Sequence, residues 1–67
     1  MIIKLSRHAE EKMIERGITM REIENAIKSG SKFIQKPNKI VSEYGYFSVV
    51  YKKSGDIHYV LTVQPRW

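Results

Sequence analysis

The residue pattern changes period once, at Gly30-Ser31, and that change decides what this chain can fold into. Before it, apolar residues recur at helical spacing. After it, aromatic and β-branched residues stand in short runs separated by turn residues. A chain of this kind builds helices first and an antiparallel sheet second, which is the α+β class. Its 67 residues give room for one domain around one modest core.

The stretch from Ser6 to Thr19 reads as a short helix with both ends marked. Ser6 suits the N-cap, where its hydroxyl oxygen accepts a free backbone N–H, and Gly17 suits the left-handed position that closes a helix. At ~100° per residue, His8, Glu11, Lys12 and Glu15 share one side, and Leu5, Ala9 and Met13 lie about a quarter-turn away. Arg16 follows Lys12 by one turn, where a helix C-terminus favours positive charge. Thr19-Met20-Arg21-Glu22 is a capping box and opens a second helix. Met20, Ile23, Ala26 and Ile27 form its apolar face, and Ser29-Gly30 ends it.

Past Ser31, Phe33 to Gln35 and Lys39 to Glu43 flank a Pro37-Asn38 turn, a hairpin signal. Tyr46 to Lys52 and Asp56 to Gln64 are the strongest strand candidates. With Lys53-Ser54-Gly55 as a three-residue loop, Phe47, Val49 and Tyr51 share the core face with Ile57, Tyr59, Leu61 and Val63. Tyr46, Ser48, Val50 and Lys52 then share the other face with His58, Val60, Thr62 and Gln64. One-sided polarity of this kind fits an antiparallel sheet covered on a single face. The expected fold is two N-terminal helices packed on one face of a roughly four-stranded antiparallel sheet. Ile2 to Leu5 has the length for a short edge strand leading into the first helix.

The formal charge is +5 and the pI about 9.7, so anionic partners are attracted at long range, nucleic acid first among them. The absence of cysteine removes disulfides, thiolate metal sites and a cysteine nucleophile. Two histidines on distant elements make no standard zinc spacing, so neither a metal nor another cofactor is expected. No apolar run approaches ~18 residues, and Met1 to Leu5 is too short for a signal-peptide core. A soluble, cytoplasmic protein without membrane contact is expected.

His8-Ala9, Lys12-Met13, Glu15-Arg16-Gly17-Ile18 and the late Val60-Leu61-Thr62-Val63 resemble the small bacterial and archaeal family called domain of unknown function 4258. The resemblance covers almost the whole chain. Lys12 stands where that family's pattern has arginine, keeping the charge without the bidentate fork. The family is in turn similar to the barnase, EndoU, colicin and RelE group of compact ribonuclease folds, several of them toxins of toxin–antitoxin pairs. The resemblance thus implies metal-independent RNA cleavage, with RNA and an acidic antitoxin-like protein as partners.

Such cleavage needs a base for the 2′-OH, an acid for the leaving 5′-oxygen and donors for the charged phosphorane. His8 is the candidate for acid–base work, Glu15 for orienting it or carrying the second proton, Arg16 with Lys12 for phosphate charge, and Thr62 for a hydrogen bond to the scissile phosphate. Lys12, Tyr46, Lys52 and His58 are the candidates for holding RNA. Each has a plainer alternative. A first-turn histidine often caps or packs, and Glu15-Arg16 suits a helix-end ion pair beside the Arg7, Glu11, Glu15 ladder. Thr62 suits a strand for its β-branching, His58 suits cross-strand pairing, and tyrosines in small sheets mostly pack. Non-catalytic nucleic-acid binding is the second functional reading. A protein-interaction module is the third, using Val50 and Val60 on the outer sheet face or Phe33 at its edge. Trp67 beside Arg66 could pack over the sheet or meet a partner.

Overall fold

The computed structural model describes residues 1–66, and Trp67 lies outside the described residues. The elements are β1 (Ile2–Leu5), α1 (Arg7–Arg16), α2 (Met20–Ser29), β2 (Ser31–Gln35), β3 (Lys39–Tyr44), β4 (Phe47–Ser54) and β5 (Ile57–Pro65). Both helices start and stop where local chemistry dictates. Ser6 caps α1 by accepting the Ala9 N–H, and Gly17 closes it at φ 67°. Thr19 and Glu22 form the reciprocal capping box of α2. The end of α2 is then tied to the sheet, because the buried Ser42 hydroxyl donates to the Ala26 carbonyl.

The sheet has five strands in the order β1-β5-β4-β3-β2, so the expectation of a four-stranded antiparallel sheet is corrected. β1 is a full member and pairs in parallel with β5, while the other neighbours are antiparallel. The reason lies in its alternation. Ile3 and Leu5 reach the core beside His58 and Val60, and Ile2 and Lys4 face away. Both helices lie on one face, where Ala9, Ile23, Ala26 and Ile27 meet Phe47, Val49, Tyr51, Val60 and Val63. α1 covers β5 and β1, and α2 covers β3 and β4. No helix among the described residues covers the opposite face of the sheet.

The β4–β5 hairpin departs from the expected register. Ser54 pairs with Ile57, so the turn is the two residues Gly55-Asp56 rather than three, with Gly55 at φ 58°. That difference of one residue sets Tyr51 opposite Val60 and turns His58 and Val60 inward. A bulge follows. Val50 pairs with Thr62, leaving Leu61 as the extra residue, and beyond it Val63 pairs with Val49 on the core face, the face expected for both. Ile57, Tyr59 and Leu61 are therefore not the core set, and Tyr59 stands 42% exposed on the open face. Val60 is fully buried and Val50 is covered, so the anticipated exposed pair Val50 and Val60 does not exist.

Candidate functional site

β1 ends at Leu5, and beyond Val60 the outward edge of β5 has no neighbouring strand. At that step the chain leaves the sheet and α1 starts. Ser6 holds the junction closed with three bonds. Its N–H donates to the Val60 carbonyl at 3.0 Å, its hydroxyl donates to the Leu61 carbonyl at 2.8 Å, and the same oxygen accepts the Ala9 N–H at 3.0 Å. Because one residue is both helix cap and sheet clasp, the first turn of α1 is fixed against the bulge of β5. His8 is two residues past this clasp on one side, and Thr62 is one residue past it on the other.

His8 is exposed and takes no part in the cap, which belongs to Ser6. Among the described residues its ring has no hydrogen-bond partner, so packing and capping do not account for it. Lys12 is one helical turn further on the same stripe, about 6 Å away between β-carbons. Arg7 stands next to His8 in the first turn, exposed and without an ion pair among the described residues. The helical spacing suits a ladder of Arg7 with Glu11 and Glu15, but among the described residues these three form no ion pair with one another. Thr62 is partly exposed on the open sheet face, in one cross-strand row with Val50, Val41 and Phe33.

Glu15 and Arg16 lie at the other end of α1. Seven residues of helical rise put Glu15 about 10 Å from His8, and its carboxylate meets the Lys12 ammonium at 3.5 Å. It does not orient His8. Arg16 is exposed in the last turn.

The expected RNA-holding residues do not gather in one place. Tyr46 is in the β3–β4 turn rather than in a strand, half exposed, its ring edge-on to Phe47 at 5.4 Å. Arg66 braces that turn, with its guanidinium donating to the Gly45 carbonyl at 2.9 Å. Lys52 is at the opposite end of β4, about 20 Å along the strand, and exposed on the open face. His58 is on the helix-covered face, only 9% exposed, with its ring 5.6 Å from that of Tyr51. Its Nδ1 is buried with no hydrogen-bond partner among the described residues. The expectation that His58 meets RNA on the open face is thus corrected, for the reason of register given above. Burial in the same region pushes the Tyr51 phenol above its ordinary 10.0.

A shallow apolar groove of about 440 Å³ runs along the other side of α1, lined by Leu5, Met13, Ile14 and Ile18. Ile14 is 83% exposed at its rim. None of the candidate catalytic residues lines it. Among the described residues no group of three or more His, Asp or Glu side chains is placed to hold a metal ion. No helix among them is long and apolar enough to cross a membrane.

Neither curated proteins nor solved structures give a match to this chain. A family model does. It spans residues 5–66, which takes in the Ser6 clasp, the His8 stripe, the bulge and Thr62, and on that match the chain belongs to the domain of unknown function family DUF4258.

Proposed function

We propose that this chain is a metal-independent ribonuclease of the toxin type. In that reaction the 2′-oxygen of RNA attacks the adjacent phosphorus and the 5′-oxygen leaves, giving a 2′,3′-cyclic phosphate and a free 5′-hydroxyl. One group takes the 2′ proton and one supplies a proton to the leaving oxygen. His8 carries a proton in this reading, and Lys12 and Arg7 on the same helix offset the charge of the phosphate, while Thr62 faces the opposite side of the sheet from α1 and takes no part at that phosphate. Arg16 holds RNA further along α1. The observation that carries the reading is the Ser6 clasp, which fixes an exposed, unpartnered His8 in the first turn beside β5.

The likeness of the family to the barnase, EndoU, colicin and RelE group supports the same reading, although a shared fold does not by itself carry an activity. An acidic antitoxin-like protein is the protein partner that goes with it, since it would meet the excess positive charge. Cleavage of labelled RNA in the presence of EDTA, compared with His8→Ala, tests the proposal.

Non-catalytic nucleic-acid binding is the second reading, favoured by where the positive charge lies. It predicts that RNA is bound and released intact, and that His8 is dispensable.

A further inference from the structure

The formal charge is divided unevenly between the two layers. α1 and α2 carry Arg7, Lys12, Arg16, Arg21 and Lys28 against Glu10, Glu11, Glu15, Glu22 and Glu24, which cancel. The strands and their turns carry the other seven cations against only Glu43 and Asp56. All of the +5 therefore belongs to the sheet layer.

On the open face that charge is ordered around an aromatic ring. Lys52 of β4 pairs with Tyr59 of β5, and Tyr59 pairs with Lys4 of β1. The three form one row across three strands, all exposed. Neither lysine has an ion-pair partner among the described residues. At about 4.8 Å per strand the two lysines stand about 10 Å apart with the tyrosine between them. Lys39, the first residue of β3, lies on the same face by strand alternation. Glu43 is the one carboxylate on this face among the described residues, and it lies two rows away, 3.6 Å from the Arg66 guanidinium. The row between them ends in Phe33, which is 50% exposed, while Val41 and Val50 beside it are covered.

This face therefore offers aromatic rings and uncompensated ammonium groups, with its exposed apolar side chains set at the edges, Ile2 and the partly exposed Ile57 at the β1–β5 corner and Phe33 on β2. A protein partner would need the apolar area that Val41 and Val50 do not present. A duplex hides the faces of its bases, whereas a single strand exposes them for stacking next to its phosphates. We propose that the open face of the sheet binds single-stranded nucleic acid, with a base stacked on Tyr59, phosphates on Lys4 and Lys52, and Phe33 as a second stacking ring. The proposal rests on the RNA reading above and names where, and in what form, the strand is held.

The test is fluorescence anisotropy with three labelled 12-mers of one sequence: 2′-O-methyl RNA, which has no free 2′-OH to attack, single-stranded DNA, and duplex DNA. Circular dichroism first establishes that each variant is folded. The wild-type protein should bind at least one single strand more tightly than the duplex, the two single-stranded arms telling which sugar it prefers. Tyr59→Ala should weaken that binding about tenfold or more. The pair Lys4→Gln with Lys52→Gln should lower the slope of log K against log salt by roughly 1.4. Preference for the duplex, no binding to either single strand, or folded Tyr59 and lysine variants that bind unchanged would overturn the assignment. The two proposals fail separately. Tyr59-dependent binding without cleavage of ordinary RNA keeps this surface and removes the catalytic reading. Cleavage at subsaturating RNA that Tyr59→Ala leaves unchanged removes this surface and keeps catalysis.

Discussion

Ser6 and Leu61 stand 55 residues apart in the chain and are joined by a 2.8 Å hydrogen bond from the serine hydroxyl to the leucine carbonyl. The same hydroxyl oxygen caps α1 by accepting the Ala9 N–H. Helix start and strand bulge are thus fixed by one side chain, and the candidate site is built on that junction.

Ser6→Ala removes both bonds. Loss of the cap costs about 1 kcal/mol and loss of the bond to Leu61 about as much again, so urea unfolding should show a loss of about 2 kcal/mol. Ser6→Asp keeps an acceptor for Ala9 but has no proton for the Leu61 carbonyl, and should recover only part of the loss. Equal stability of Ser6→Ala and the wild type would contradict this role.

Gly30 sits where α2 meets β3. A β-carbon there would lie 2.5 Å from the Ala26 carbonyl oxygen and 2.8 Å from that of Glu43, and neither backbone atom can swing aside. Gly30→Ala should therefore destabilise by about 1–3 kcal/mol, read as a lower thermal midpoint. At a glycine with negative φ and open space around it, the reduced freedom of the unfolded chain would favour alanine by about 0.4–1 kcal/mol. A gain of that size at Gly30 would show that the helix end is not held this closely.

The buried Tyr51 phenol gives stability a dependence on alkaline pH. Its folded pKa is raised, so above about pH 10 the unfolded chain gives up this proton while the folded chain keeps it. The contribution is fully present below that pH and is lost as pH rises toward the folded value. Urea midpoints measured from pH 8 to 11 should fall more steeply for the wild type than for Tyr51→Phe, which keeps the ring and lacks the proton. Parallel curves would contradict it.

What the sequence revealed was what short-range chemistry decides. Ser6, Gly17, the Thr19 to Glu22 box and the end of α2 at Ser29 need only neighbouring residues to act, and each is found where the pattern put it. The hairpin register was not legible, because Ile57, Tyr59, Leu61 and Val63 alternate as well as any buried face would. The choice of His58 and Val60 instead is made by a turn one residue shorter and by a bulge at Leu61, which no glycine announces. The parallel place of β1 depends on residues more than fifty positions away. In the site, the same slip hid Tyr59 and brought His58 forward in its place, and Lys4 stayed hidden with the parallel pairing of β1. Glu15 looked like a partner of His8 by helical phase alone, since phase records the face and not the distance along the axis.

The most direct test of the account is the chemistry of the cut. RNA labelled at its 5′ end is incubated in EDTA with the wild-type protein and with a folded His8→Ala variant, and the new ends are analysed. The account predicts fragments ending in a 2′,3′-cyclic phosphate from the wild type, and at least a hundredfold less of them from His8→Ala, the lower end of what a proton-transfer group contributes. Equal cleavage by both proteins, or intact RNA with both, would contradict it.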